Sequence, residues 1–317
     1  MARHGRIADA LALDSPVFVT GLARAGTTIL MRLLHGADEF AALSYRDLPF
    51  PLAPNGWARV SGKWKRGVEA QERGHGDGLT HDLDSPEAIE EVFWRAREGA
   101  RYCRPEGLLP APPEAESIAA FARYVRLVCL RYERTRYLSK NNNNVLRLPA
   151  LIAAFPEARL VHPFRDPFDQ AASLLAQHRR ARSLAARDRF RGEFMRWLGH
   201  HEFGAYQRPF LLPGAPTADD DPDTLDYWLK AWISVHRHLL NQPRQVMAAQ
   251  VFVDYDRLKT GDAATLAALG DRLALPHPID TSRLYDPAPR QGVHEVDLWL
   301  ADAARALHSA LVKEAVA

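Results

Sequence analysis

Short apolar runs alternate along the chain with longer stretches in which apolar residues recur every three or four positions. Strands of a parallel sheet are covered on both faces and read as unbroken apolar runs, so this alternation predicts buried parallel strands joined by amphipathic helices. "PVFVTG" at 16–21 reads as such a strand, followed by a helix through Leu34. "RYLSK" at 136–140, "ARLVHPF" at 158–164 and "QVMAAQVFVDY" at 245–255 read as three more, each beside helix-like sequence. In "TLDYWLKAWISVHRHLL" at 224–240, Trp228, Trp232, Val235 and Leu239 fall on one helical face. That face predicts a helix packed on the sheet, with its aromatic stripe in the core.

Elsewhere the pattern is weaker. Residues 51–85 are dense in Gly, Pro and charge without periodicity, which predicts a long loop over the sheet of the kind that carries substrate contacts. A helix capped near Ser85, with Pro86 at its first position and Glu87 in its first turn, follows. Glu90 and Glu91 then fall on the helix surface or in ion pairs. "LLPGAPTADDDPD" at 211–223 reads as an exposed connection. In "KNNNNV" an asparagine is suited to cap the following helix, whose entry Pro149 also suits, and another to touch a ligand beside Lys140.

Composition fits an ordered globular protein: 47% hydrophobic and 25% charged residues, with no internal repeat. The 41 Lys plus Arg nearly balance 39 Asp plus Glu, a net charge of +2 that is too small a bias for a nucleic-acid binder. Basic residues concentrate instead at 178–191, where Arg179, Arg180, Arg182, Arg187, Arg189 and Arg191 accompany one acid, Asp188. This reads as a solvated helix face. Cys103 and Cys129 have neither a redox nor a metal-ligand spacing, so no metal site is expected. The N-terminus lacks the apolar core of a signal peptide and no segment is apolar for eighteen residues, so a cytoplasmic protein without a transmembrane segment is expected.

The chemistry-bearing stretch is "VTGLARAGTTILMRLL" at 19–34. A strand, a loop starting at Gly21, then Gly26, Thr27, Thr28 and an apolar helix form a unit that presents backbone N–H groups to an anion. Its G-x-x-x-x-G-T-T spacing copies the nucleoside-triphosphatase loop except for the lysine that reaches a β/γ-phosphate, which Thr27 replaces. Arg24 remains as the cation within the loop.

Ala23, Arg24, Ala25, Gly26, Thr27 and Thr28 resemble the first signature of the sulfotransferases that use 3′-phosphoadenosine 5′-phosphosulfate (PAPS), P-K/R-S-G-T-T, with Ala23 in place of proline and Ala25 in place of serine. In that family the loop binds the donor's 5′-phosphosulfate. The second signature, a strand ending in R-D-P with a serine eight residues after the arginine, is matched by Arg165, Asp166, Pro167 and Ser173. The resemblance implies that Arg165 and Ser173 bind the donor's 3′-phosphate. It further implies that Lys140 neutralises charge on the transferred group and that Tyr255, in "YDRL", lies near the 3′ side. Alternative readings are an Arg165 ion pair with Asp166 or Asp169, and ordinary packing for Tyr255. The resemblance is nearer the tyrosylprotein and general bacterial branch than the cytosolic aryl branch. It runs from Val17 to Asp256 and is weak over 51–135 and 180–222, which read as insertions in one domain spanning 1–317.

The fold implied is a P-loop-like central parallel sheet flanked by helices in three α/β/α layers. The activity implied is sulfuryl transfer from PAPS to a hydroxyl or amine of a small-molecule, lipid or glycan acceptor. Because the donor has no β/γ-phosphates, the missing lysine has no target there. The family's glutamate after the first helix falls at Leu43 or Ser44, and only Arg46 of that neighbourhood corresponds. The general base is then Asp47, His75, Asp77 or His81, with His75 favoured because histidine is common in that role. A P-loop kinase or triphosphatase is the runner-up. A non-catalytic nucleotide-binding protein on the same scaffold is the third reading.

Overall fold

The computed structural model describes residues 7–61, 71–72, 80–284 and 296–316. The strands are β1 (Val17–Val19), β2 (Phe40–Ala41), β3 (Gln71–Glu72), β4 (Thr80–His81), β5 (Arg136–Lys140), β6 (Arg159–Phe164) and β7 (Gln250–Asp254). The first helices are α1 (Thr27–His35), α2 (Pro54–Ser61), α3 (Glu91–Tyr102), α4 (Ala115–Tyr132), α5 (Leu148–Ala154) and α6 (Pro167–Arg187). They are followed by α7 (Arg189–Leu198), α8 (Leu225–Leu240), α9 (Arg244–Ala249), α10 (Tyr255–Lys259), α11 (Ala263–Arg272) and α12 (Leu298–Glu314).

Five strands form one parallel sheet in the order β2-β5-β1-β6-β7, and β3 pairs with β4 in a separate antiparallel ribbon. Successive strand residues face opposite ways, which divides the core into two layers. Phe18, Tyr137, Leu160 and Phe164 pack with residues of α3, α4, α5, α6, α8 and α12 on one side. Val17, Val19, Leu138, Val161, Val251 and Val253 pack with residues of α1, α10 and α11 on the other. The three-layer α/β/α arrangement follows from these two apolar faces.

The expected strands at 136–140 and 158–164 are β5 and β6, and the aromatic stripe at 228–239 is core on α8, with Trp228 and Trp232 essentially inaccessible to water. Three expectations change. Residues 245–255 are not one strand: α9 occupies the alanine-containing half and β7 the β-branched half. The helix expected to open at Pro86 starts at Glu91 instead, because Pro86 is held extended in a bridge to Ser44. The long loop at 51–85 contains α2 and the β3–β4 ribbon.

Register determines what the sheet presents. Val19 of β1 lies beside Lys140 of β5 and Val161 of β6, and Phe164 pairs with Asp254. The carboxyl ends of the three central strands therefore open onto one crevice, the edge where open α/β sheets hold their ligands.

Candidate active site

The loop after β1 is pinned by the sheet beneath it and by α6 above it. Thr20 N–H donates to the Val161 carbonyl at 2.9 Å, and the Thr20 hydroxyl donates to the Asn142 carbonyl at 3.3 Å. Gln170, fully buried on α6, donates to the carbonyls of Leu22 and Ala23 at 3.3 and 2.9 Å, while its own carbonyl accepts from the Trp232 indole at 3.0 Å. Buried polar groups must be satisfied, so this amide fixes the loop to α6 and α8 together. Arg24 adopts the left-handed region (φ 68°), a conformation that costs a non-glycine residue of order 1–3 kcal/mol and is retained where surroundings enforce it. Its Nε donates to the Ser173 hydroxyl at 3.0 Å.

Gly26 ends the loop and caps α1 with φ 86°, and no side chain among the described residues caps that helix terminus. A Cβ at this position would stand 2.2 Å from the Tyr255 ring, so only glycine allows the ring to lie on the loop. Arg165 lies over the other neighbourhood of that ring, with its guanidinium carbon 6.0 Å from the centroid. Asp166 caps α6 by accepting from the Phe168 and Asp169 N–H groups, both at 3.0 Å. Asp169 is 3.6 Å from the Arg165 guanidinium, longer than a charge-assisted hydrogen bond. Arg165 Nε is buried and has no hydrogen-bond partner among the described residues. The two sequence signatures thus meet twice, through Arg24 and Ser173 and through Gly26, Tyr255 and Arg165.

The third strand end supplies Lys140 and the asparagine run, which is a scaffold for buried carboxylates. Asn141 donates to Glu90 and Glu91 at 3.1 and 2.8 Å, and Asn144 donates to Glu90 at 2.8 Å. Asn141 also caps the 3-10 turn at Asn142–Leu146. Arg147 forks onto Glu91 at 2.8 and 3.1 Å. Burial alone would raise the Glu91 carboxyl, and the Arg147 guanidinium, with Tyr102 and Asn141, more than offsets it and holds the group below its ordinary value. Glu90 and Glu91 are ion-pair and amide partners inside the protein, not helix surface.

Asn142 donates to Glu202 Oε1 at 2.8 Å, and Glu202 Oε2 is 3.6 Å from His200 Nδ1. Burial would raise Glu202, and its neighbours His200 and Lys140 reverse that, holding it well below the usual carboxylate range. Asn143 donates to the Gly199 carbonyl at 3.1 Å, so two successive amides tether the segment after α7 to the end of β5.

A cleft of about 160 Å³ lies over these groups. Arg24, Thr27, Thr28, Lys140, Asn142, Glu87, His200 and Glu202 supply its polar wall, and Tyr45, Leu48, Phe194, Met195, Leu198 and Phe203 its less polar one. Ala25 is fully buried and offers backbone only.

Of the expected bases, Asp47 is fully buried, accepting from Ser44 and Tyr132, and does not line the cleft. His75 and Asp77 lie outside the described residues, and His81 is placed only as a β4 residue paired with Gln71. Sequence reasoning missed Gln170, His200 and Glu202; it expected an asparagine beside Lys140 without singling out Asn142. "GHHEFG" at 199–204, a cluster of ionisable residues just after an aromatic helix, is the one local signal that pointed to two of them.

A model of the sulfotransferase family matches residues 16–212, well over half of the chain, and that stretch contains the glycine loop, Lys140, Arg165, Ser173, His200 and Glu202. The chain belongs to the sulfotransferase family. Two curated relatives, the omega-hydroxy-beta-dihydromenaquinone-9 sulfotransferases Stf3 of Mycobacterium bovis (strain ATCC BAA-935 / AF2122/97) and Mycobacterium tuberculosis (strain CDC 1551 / Oshkosh), are each 25% identical over 191 residues. The aligned stretch is 55% of this chain and 48% of theirs, so this sulfotransferase-family chain spans about half the length of the curated relatives it matches. Sulfotransferase STF9 from Mycobacterium avium shares the fold, with a TM-score of 0.52 and 15% identity over 98% of this chain and 79% of that one. Tyr255 lies beyond the stretch matched by the family model, and its place at the site rests on its packing against Gly26. No helix among the described residues is long and apolar enough to cross a membrane.

Proposed function

We propose that this protein transfers a sulfuryl group from PAPS to a hydroxyl or amine of a small-molecule or lipid acceptor, with residues 1–317 acting as one sulfotransferase domain. The observation that carries this reading is the Gly26–Tyr255–Arg165 stack beside the Arg24–Ser173 hydrogen bond, which brings the two signatures into contact. The residues fit a bisphosphate donor: Arg165 retains a buried N–H without a hydrogen-bond partner among the described residues, and the uncapped start of α1 faces the same loop. The mycobacterial relatives, named for a dihydromenaquinone substrate, favour a lipid among the possible acceptors.

When bound, the donor supplies an electrophilic sulfuryl group on a phosphate leaving group. Arg24, Lys140 and the first N–H groups of α1 hold the oxygens on which charge accumulates. His200 takes the acceptor proton. Its Nδ1 is turned to the ionised Glu202, which leaves Nε2 as the nitrogen that receives it, and Asn142 holds Glu202 in place. Glu87 also lines the cleft, but its Oε1 accepts from Ala88 N–H at 2.8 Å, which commits one oxygen to the backbone.

Calorimetry tests the donor site directly. Adenosine 3′,5′-bisphosphate is expected to bind without Mg²⁺, and preferential binding of Mg²⁺·ATP would return the kinase reading. Arg165→Ala should weaken bisphosphate binding by about 1.5–3 kcal/mol, the worth of a hydrogen bond to a charged group. Lys140→Ala and His200→Ala should lower sulfate transfer more than bisphosphate affinity.

A further inference from the structure

The helix α7 turns its aromatic residues outward. Phe190, Phe194 and Trp197, at i, i+4 and i+7, are 75%, 38% and 75% exposed, and the rings of Phe190 and Phe194 stack at 5.9 Å. A helix that supports a fold buries such a face, whereas here the buried work is done by its neighbours. At about 100° per residue, Met195 and Leu198 follow on the adjoining side of the helix, and with Phe194 they line the cleft. An apolar path therefore runs from the exposed face of α7 into the cleft that holds Lys140 and His200.

Charge lies on the opposite edge of that aromatic face. Arg189 stands there, Arg180 and Arg187 are exposed on the preceding helix, and Asp188 is the sole acid between 179 and 192. The acid of α7 itself, Glu193, is occupied by Arg196 at 2.6 Å and by the Tyr206 hydroxyl at 2.6 Å. An outward aromatic face flanked by arginines is the composition of a helix that lies in a membrane interface, with rings at the acyl boundary and guanidinium groups among the headgroups.

We infer that α7 docks this protein on an anionic lipid bilayer and opens the cleft to an acceptor drawn from that bilayer. The inference deepens the sulfotransferase reading and rests on it for the word acceptor, while the docking itself has its own readout.

The test is co-sedimentation with vesicles of phosphatidylcholine, with and without phosphatidylglycerol, alongside a bisphosphate titration of each variant. The wild-type protein should sediment with the anionic vesicles and less at high salt. Phe190→Ser combined with Trp197→Ser should lower the bound fraction about tenfold. Arg187→Glu combined with Arg189→Glu should lower it too and remove the salt dependence. Both double variants should bind bisphosphate as the wild type does, which shows that they are folded. Failure of the wild type to bind anionic vesicles, or equal binding by the Phe190 and Trp197 variant, overturns the inference. A concentration-dependent dimer that this variant dissolves would assign the face to a second copy and overturn it as well. Vesicle binding without bisphosphate binding would instead sink the sulfotransferase reading and leave the docking helix standing.

Discussion

Replacing Gly26 by alanine tests whether the loop and the Tyr255 ring act as one unit. The new Cβ would sit 2.2 Å from the ring, and reaching the 3.4 Å of ordinary contact requires the buried ring to move by about 1.2 Å. Two costs combine. Alanine at a φ of 86° is disfavoured by about 1–2 kcal/mol, and forcing a ring aside in a packed interior adds about 1–3 kcal/mol. Unfolding in urea should therefore show a loss of about 2–5 kcal/mol. Because the displaced ring lies beneath Arg165, calorimetry should also show bisphosphate affinity falling by about tenfold or more. The two costs separate in a second background: with Tyr255→Ala already present, the penalty of Gly26→Ala should shrink to the backbone share of about 1–2 kcal/mol. Unchanged stability and affinity in the single variant, or an equal penalty in both backgrounds, would refute the coupling.

Two further predictions concern buried charge. Arg147→Met leaves the Glu91 carboxylate in the interior without its guanidinium and should cost about 3–5 kcal/mol in urea unfolding; adding Glu91→Met should recover part of that loss, and a single-variant loss below about 1 kcal/mol would show that the pair is dispensable. Burial pushes His162 down to about 4 and His236 down to about 3, from an ordinary 6.5. The unfolded chain therefore protonates first as pH falls. The stability tied to these neutral rings is complete above about pH 6.5 and is lost as pH drops toward 4 and then 3, at about 1.4 kcal/mol per pH unit for each. Denaturation at pH 7 and pH 5 should differ by about 4 kcal/mol from this source, and a flat profile would contradict it.

The sheet was legible because its strands are buried on both faces, so β1, β5 and β6 announce themselves as apolar runs and α8 as a periodic one. The two signatures were legible for a related reason: Arg24, Gly26 and Arg165 lie at strand-to-helix junctions, where local sequence decides the backbone. Legibility fails where a long-range partner decides. Residues 245–255 read as one strand, and the split into α9 and β7 depends on pairing with β6. Pro86 looked like a helix start, but its bridge to Ser44 holds it extended. His200 and Glu202 belong beside Lys140 only because Asn142 and Asn143 reach across 60 and 56 residues. No periodicity records such a contact.

Those two asparagines also separate what can vary from what cannot. They hang residues 199–204 from the sheet, while the ten-residue helix before them carries Phe194, Met195 and Leu198 of the cleft's less polar wall. Substitution within 189–198 can then reshape that part of the cleft while His200 and Glu202 stay in register with Lys140. A foreign helix transplanted between Asp188 and Gly199 would accordingly remodel the mouth of the cleft and leave its floor as it stands.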